Sequence, residues 1–327
     1  YIVSGVLVLV GILGVNPHIM GKLNLGIDFS GGRNYIIRFA EPVNTQEVNA
    51  ALDNVFMEAK SELADEETFA LNVITIGDAN QVRVSTNYRI NDNSETLDDE
   101  IEALLYEGCK QFLPENVTLK EFTSTDINPE IGIMQSQKVG PAIADDITQS
   151  AVWAVLAALL GIFLYVLLRF RNFSFSVGAL AGLAHNTLIV LGAYALLWKV
   201  MPFSMEIDQS FIAAILTVIG YSINDTVVIF DRVREYTGLY PKRARKQNIN
   251  DALNQTLSRT FSTSMSTLVV LIAIFCFGGE TIRGFVFALI IGVVVGTYSS
   301  LCVATPLAYD IQEALDRRRA KKAALNK

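Results

Sequence analysis

The sequence has 327 residues, 51% hydrophobic and 18% charged, with a mean hydropathy of +0.36. Soluble domains carry charge on nearer a quarter of their residues, so the composition argues for a membrane protein. The net charge of −7 arises from acidic residues crowded between Glu41 and Glu130, while Arg317 to Lys322 is basic; a basic tail directly after an apolar span fits membrane orientation better than nucleic-acid binding.

Tyr1 to Val15 is an apolar run ended by Asn16-Pro17. It is short for a span of about 20 residues. It also lacks an initial methionine and the basic flank of a signal peptide, so residues 1–16 are expected to be a clipped first membrane helix of a longer chain. Leu25 to Gly32 follows as a glycine-rich turn in which Gly31 and Gly32 call for positive φ. No Gly-Lys-Ser/Thr comes after it, which excludes a phosphate loop.

Residues 17–138 are expected to form a soluble domain. The apolar spacing predicts strands at 34–39, 69–76, 81–86 and 117–123, and helices at 45–64 and from a Ser94 cap to about 112. The first helix turns Val48, Leu52, Val55, Phe56 and Ala59 inward, the second Leu97, Ile101, Leu104, Leu105 and Cys109. This βαββαβ order is the ferredoxin-like split βαβ pattern, an α+β domain. No nucleophile-and-base cluster accompanies it and no His lies between His18 and His185, so a binding or lever domain is expected rather than an enzyme.

Gly140 and Pro141 open a helical bundle over 139–310, with spans near 147–170, 175–198, 210–230, 261–277 and 285–309. With the clipped run this makes an α-helical polytopic membrane protein of six spans, ending in a basic tail, 311–327. Arg169 and Arg171, the cluster from Arg232 to Lys246, and the tail lie on alternate connections. The positive-inside rule therefore puts both chain ends in the cytoplasm and 17–138 outside.

Asn224 and Asp225 interrupt the apolar run of the fourth span. Asp225 lies six positions before Asp231, about 9 Å along a helix, where a carboxylate costs about 3 kcal/mol or more. It either titrates and carries ions, or stays protonated and hydrogen-bonds a neighbouring helix. Leu257-Ser258-Arg259-Thr260 opens the returning span, followed by Ser262, Thr263, Ser264, Ser266 and Thr267. Arg259 within reach would favour the ionised carboxylate while burial opposes it; equally, Arg259 is an inner-boundary arginine reaching for headgroups, and the hydroxyls are helix-to-helix hydrogen-bonding groups. Ser222, Asn224, Thr260 and Thr263 are supporting polar candidates, and His185, mid-span beside Asn186, is a further one because histidine titrates in the physiological range. Gly178 with Gly182 and Gly292 with Gly296 have GxxxG spacing. The cysteines and histidines show no metal-ligand spacing, the cysteines form no disulfide framework, and no cofactor is expected.

Asp28-Phe29-Ser30-Gly31-Gly32, Val139-Gly140-Pro141, Gly220 to Asp225 with Phe230 to Glu235, and Leu257 to Thr260 together resemble SecF, the smaller half of the bacterial SecD–SecF export complex and a relative of the RND transporters. Starting without methionine, the chain is similar to the SecF half of a fused SecDF polypeptide. The resemblance covers essentially the whole sequence. It implies an RND-like bundle in the bacterial inner membrane with 17–138 periplasmic, and a subunit that uses the proton motive force to help the translocon export unfolded proteins. It further implies SecD (or a SecD half of the same chain) and the SecYEG translocon as partners, and YidC as a further one. Asp225 and Arg259 match the family's intramembrane acid and base. The family pattern has Asp after this His, whereas Asn186 stands here, which weakens a proton relay through the pair. The residues alone leave sodium open as the ion, and an assembly scaffold or a small-molecule exporter as other functions.

Overall fold

The computed structural model describes residues 5–6, 8–9, 12, 23–62, 69–92, 94, 96–198, 200–201 and 203–325. The expected first span within 1–16 lies mostly outside them.

A single helical turn, α1 (Ile27–Ser30), passes through Gly31 and Gly32 into β1 (Gly32–Arg38). Gly32 has φ +149, and a Cβ there would stand 2.8 Å from Ile27 Cγ2 and 2.9 Å from the Thr86 carbonyl oxygen. Only glycine allows so close an approach at that φ. The chain continues as α2 (Thr45–Glu62), β2 (Leu71–Thr75), β3 (Gln81–Thr86), α3 (Leu97–Cys109), α4 (Leu119–Thr123) and β4 (Gly132–Val139). The strands form one antiparallel sheet in the order β2-β3-β1-β4. Tyr35, Ile37, Val82 and Val84 share a core with Val48, Leu52 and Phe56 of α2 and Leu97, Ile101 and Leu105 of α3, the period-2 and period-3.6 faces meeting as their spacing requires.

Two expectations are corrected here. The segment expected as the last strand, 117–123, is mostly helix. Thr118 and Glu121 form a capping box, with the Thr118 amide 2.7 Å from Glu121 Oε2, and that local bonding overrides the apolar alternation. The fourth strand lies later, at Gly132–Val139, where an edge position leaves Gln135, Ser136, Gln137 and Lys138 exposed. Such a strand carries no alternating apolar signal. Ser94 does not cap α3: the helix begins after Thr96, and the Ser94 amide bonds Asp92 Oδ1 at 2.9 Å in an Asx-type turn.

Gly140 and Pro141 occupy the N-cap and first position of α5 (Pro141–Phe170), where the missing amide of proline costs nothing. Then come α6 (Phe173–Leu197), α7 (Gln209–Leu239), α8 (Arg245–Phe277), α9 (Glu280–Ser299), a π-helical turn (Ser300–Ala304) and α10 (Thr305–Leu325). Among the described residues five helices are long and apolar enough to cross a membrane, the last counted through the π turn. Helix α7 is central, contacting α5, α6, α8 and α9. The glycine pairs lie at close contacts: Gly178 and Gly182 against Ala304 and Ala308, and Gly292 and Gly296 against Val218 and Ser222.

Candidate functional site

The register of the α7–α8 pair is set by polar side chains. Tyr221 Oη donates to Thr267 Oγ1 at 3.1 Å and Tyr236 Oη to Gln255 Oε1 at 2.8 Å. Between these bonds Asp225 comes level with Ser264, and Arg259 stands five residues, about 7 Å, nearer the α7–α8 loop. Asp225 is 6% exposed. The Arg259 guanidinium and the Ser264 hydroxyl both act on its carboxyl, yet Asp225 Oδ2 has no hydrogen-bond partner. A buried carboxylate oxygen left unpaired is costly, and each such group in a native protein calls for an explanation, a functional role among them.

Around Asp225 the helices exchange hydroxyl and amide contacts. Ser264 Oγ lies 2.6 Å from Thr297 Oγ1 of α9. Asn186 Nδ2 of α6 donates to Ser222 Oγ at 2.7 Å. Thr226 Oγ1 lies 2.8 Å from Ser300 Oγ, which also donates to the Gly296 carbonyl at 3.0 Å. Ser300 starts the π turn, and Thr305 Oγ1 donates 2.9 Å back to its carbonyl, satisfying an acceptor that the widened turn frees. His185 is buried with neither ring nitrogen hydrogen-bonded, its ring 6.0 Å from that of Tyr298. Thr260, one turn from Ser264 on the same face, is also buried, with its hydroxyl unpartnered.

The remaining sequence-selected residues fall elsewhere. Asn224 is exposed on the opposite side of α7 from this polar cluster, and Thr263 is exposed on α8 with its hydroxyl spent on the Arg259 and Thr260 carbonyls. The 100° step between helix neighbours separates Asp225 from Asn224 and Ser264 from Thr263. Arg259 is exposed too, at the end of a cleft of about 340 Å³ lined by Asp231, Glu235 and Gln255. Asp28, Gly31, Gly32, Gly140 and Pro141 lie at the joints between sheet and bundle. Sequence reasoning passed over Thr226, Thr297 and Ser300; their only signal was hydroxyls at helix spacing in apolar runs, and which of those point inward depends on the neighbouring helices.

Comparison with known proteins agrees with this architecture. Residues 119–314 match the family model described as protein export membrane protein SecD/SecF, C-terminal, and residues 21–43 match the SecD/SecF GG motif. The protein translocase subunit SecF of Rhodothermus marinus is 39% identical over 99% of this chain and 94% of its own length. That of Thermodesulfovibrio yellowstonii is 35% identical over 93% and 89%. The crystal structure of SecDF, a translocon-associated membrane protein from Thermus thermophilus, superposes with a TM-score of 0.72 at 29% identity, covering 95% of this chain. A structure of SecDF in a super-membrane-facing form does so with a TM-score of 0.60 at 31% identity. The chain spans 37% and 39% of those two solved chains. With relatives above 30% identity matched over nearly their whole lengths, this multi-pass membrane protein belongs to the SecF family of protein translocase subunits.

Proposed function

We propose that the chain is an ion-driven accessory subunit of the Sec translocase, in which Asp225 is loaded and unloaded with a proton as Arg259 approaches and withdraws. The observation that carries this reading is the Asp225 carboxyl itself: buried among α7, α8 and α9, acted on by Arg259, and with one oxygen unpartnered. A carboxyl placed between burial and a cation responds strongly to small movements of either. The cleft at Arg259 supports a route to the loop side of the bundle, and Ser222 and Thr226 of α7 with Thr260 and Ser264 of α8 supply a polar track between the two helices. Sodium would be served by the same carboxylate and hydroxyls, so the ion is part of the test. No cofactor enters the scheme.

The partners follow from family membership and from the polar groups that the chain leaves uncovered. Asn224, Arg259 and Thr263 are exposed on α7 and α8, an expensive arrangement against lipid. A second subunit of the SecD type, whether a separate chain or joined to this one, would cover them. We place the pair beside the SecYEG translocon, with YidC as a further neighbour and an unfolded exported protein as substrate. The strand order β2-β3-β1-β4 is the one that two split βαβ units generate, and supports reading residues 17–138 as a ferredoxin-like periplasmic lever. The bundle is then 139–310, with residues 1–16 as its sixth span. The basic loops support a reading with both ends and the tail, 311–327, in the cytoplasm of a bacterial inner membrane.

The test is export of a reporter protein by membrane vesicles carrying wild-type or Asp225→Asn complex, with and without a proton or sodium gradient. Asn keeps the shape and hydrogen bonding but cannot ionise. Loss of gradient stimulation by an assembled variant is the expected result. Undiminished stimulation would make Asp225 a structural group and the subunit a scaffold.

A further inference from the structure

The last part of the connection between α6 and α7, residues 204–208, passes beneath the sheet in extended form, and its side chains alternate between two bodies. Met205 and Ile207 are buried in the apolar core of the bundle. Glu206, between them, faces the sheet: Asn72 Nδ2 on β2 donates to its Oε1 at 3.0 Å, and Arg83 Nη1 on β3 donates to its Oε2 at 3.3 Å. The Glu206 side chain is 8% exposed and that of Arg83 16%. The main chain alongside is also tied. Ile207 bridges Leu25, with its amide 2.8 Å from the Asn24 carbonyl and its own carbonyl accepting from Gly26 at 3.0 Å. Asp208 then caps α7 through the Phe211 amide at 2.8 Å, and the Gln209 amide donates to Asp28 Oδ2 at 3.2 Å.

The sheet thus meets the bundle in two ways. The inner half, β1 and β4, is tethered by the chain itself, through Gly31-Gly32 and through Gly140-Pro141. The outer half, β2 and β3, reaches the bundle through Glu206. Two residues after Glu206 begins the cap of α7, the helix on which Asp225 sits about 25 Å farther along. We propose that Glu206 is a positioning residue which, through Arg83 and Asn72, transmits movement between the outer half of the sheet and the Asp225 helix. This rests on the ion-driven reading above and specifies where the bundle grips the lever. A buried charge pair adds little net stability over an apolar contact, but its directional bonds are either made or broken, which a sliding apolar contact is not. Burial also holds the Glu206 carboxyl above its usual range, against the pull of Arg83 and Asn72.

The test uses vesicles carrying the chain with its partner subunits, in wild-type, Glu206→Ala, Glu206→Gln and Asp225→Asn forms. Gradient-stimulated and gradient-independent export are read separately, and hydrogen exchange is followed at the β2–β3 amides and the first turn of α7. Glu206→Ala is expected to lower the gradient-stimulated part about thirtyfold, the low end of what removal of one partner of a buried charge pair does, and to leave gradient-independent export unchanged. Exchange should rise together in β2–β3 and in the first turn of α7, and Glu206→Gln, which keeps the acceptor for Asn72, should recover most of both. Wild-type stimulation in Glu206→Ala beside its loss in Asp225→Asn would overturn the link and leave the ion-driven reading standing. Stimulation surviving in Asp225→Asn would sink that reading, and hydrogen exchange would then decide the link alone: no joint rise overturns it. If Glu206→Ala fails to accumulate, Arg83→Met breaks the same bond from the sheet side and must give the same result.

Discussion

Asn186 on α6 and Ser222 on α7 meet at 2.7 Å in the buried interior of the bundle, three residues before Asp225. The bond holds α7 by its polar face, while Gly296 comes close enough that a Cβ there would lie 3.2 Å from Ser222 Oγ. The neutral Asn186 amide thus serves as a helix clamp.

Ser222→Ala is therefore expected to destabilise the bundle by about 1 kcal/mol, the scale of a hydrogen bond between membrane helices, since the Asn186 donor is left buried without its acceptor. Unfolding of the detergent-solubilised chain measures this. A change near zero would show that the amide finds another acceptor.

Arg259 lies exposed at the cleft below Asp225, so its charge matters more than its packing. Arg259→Lys should keep part of the gradient-stimulated export, while Arg259→Gln should lose roughly tenfold, within the usual range of coupling between two sites. Equal activity in the two variants would argue against a role for the charge.

Gly32→Ala places a methyl against Ile27 and the Thr86 carbonyl at φ +149, and is expected to cost about 2–3 kcal/mol from backbone strain and overpacking. Gly77 has φ +72 with open space around a Cβ, so Gly77→Ala should cost only about 1 kcal/mol. Denaturation of the two variants side by side separates the clash from the backbone conformation.

The joint at Glu206 should tighten as the outside becomes more acidic. Burial raises the Glu206 carboxyl, with Arg83 and Asn72 lowering it and Asp208 and Asp28 raising it; Asp208 is itself raised, chiefly by burial. Tyr194 is the titratable group facing this spot from α6. A carboxyl whose docked pKa exceeds its value in water binds its proton more tightly when docked. Its favourable contribution is complete below the ordinary carboxylate pKa and is lost as pH rises through the raised one. Exchange at the β2–β3 amides, corrected for intrinsic rate, should be slower at pH 5 than at pH 8, and Glu206→Gln should flatten most of that difference. An unchanged slope in the variant would assign the effect to Asp208.

Much of the fold could be read from the residues because burial is periodic. Gln81–Thr86 alternates and is a strand at those bounds; Val48, Leu52 and Phe56 repeat at helical spacing and lie inward; long apolar runs became the crossing helices. The misreadings came where local bonding or an edge position replaced burial as the cause, at the Thr118–Glu121 capping box and at β4.

By itself the sequence determined a membrane bundle with a carboxylate deep in one span and an acidic domain ahead of the Pro141–Phe170 helix, since apolar length and the cost of a charge in hydrocarbon are local properties. Only the tertiary structure decided that Ser264 and not Thr263 faces Asp225, that Asn224 points out, and that Glu206 joins β2 and β3 to α7. Those outcomes depend on helix rotation and on side chains far apart in the chain, which are settled by how neighbouring elements pack.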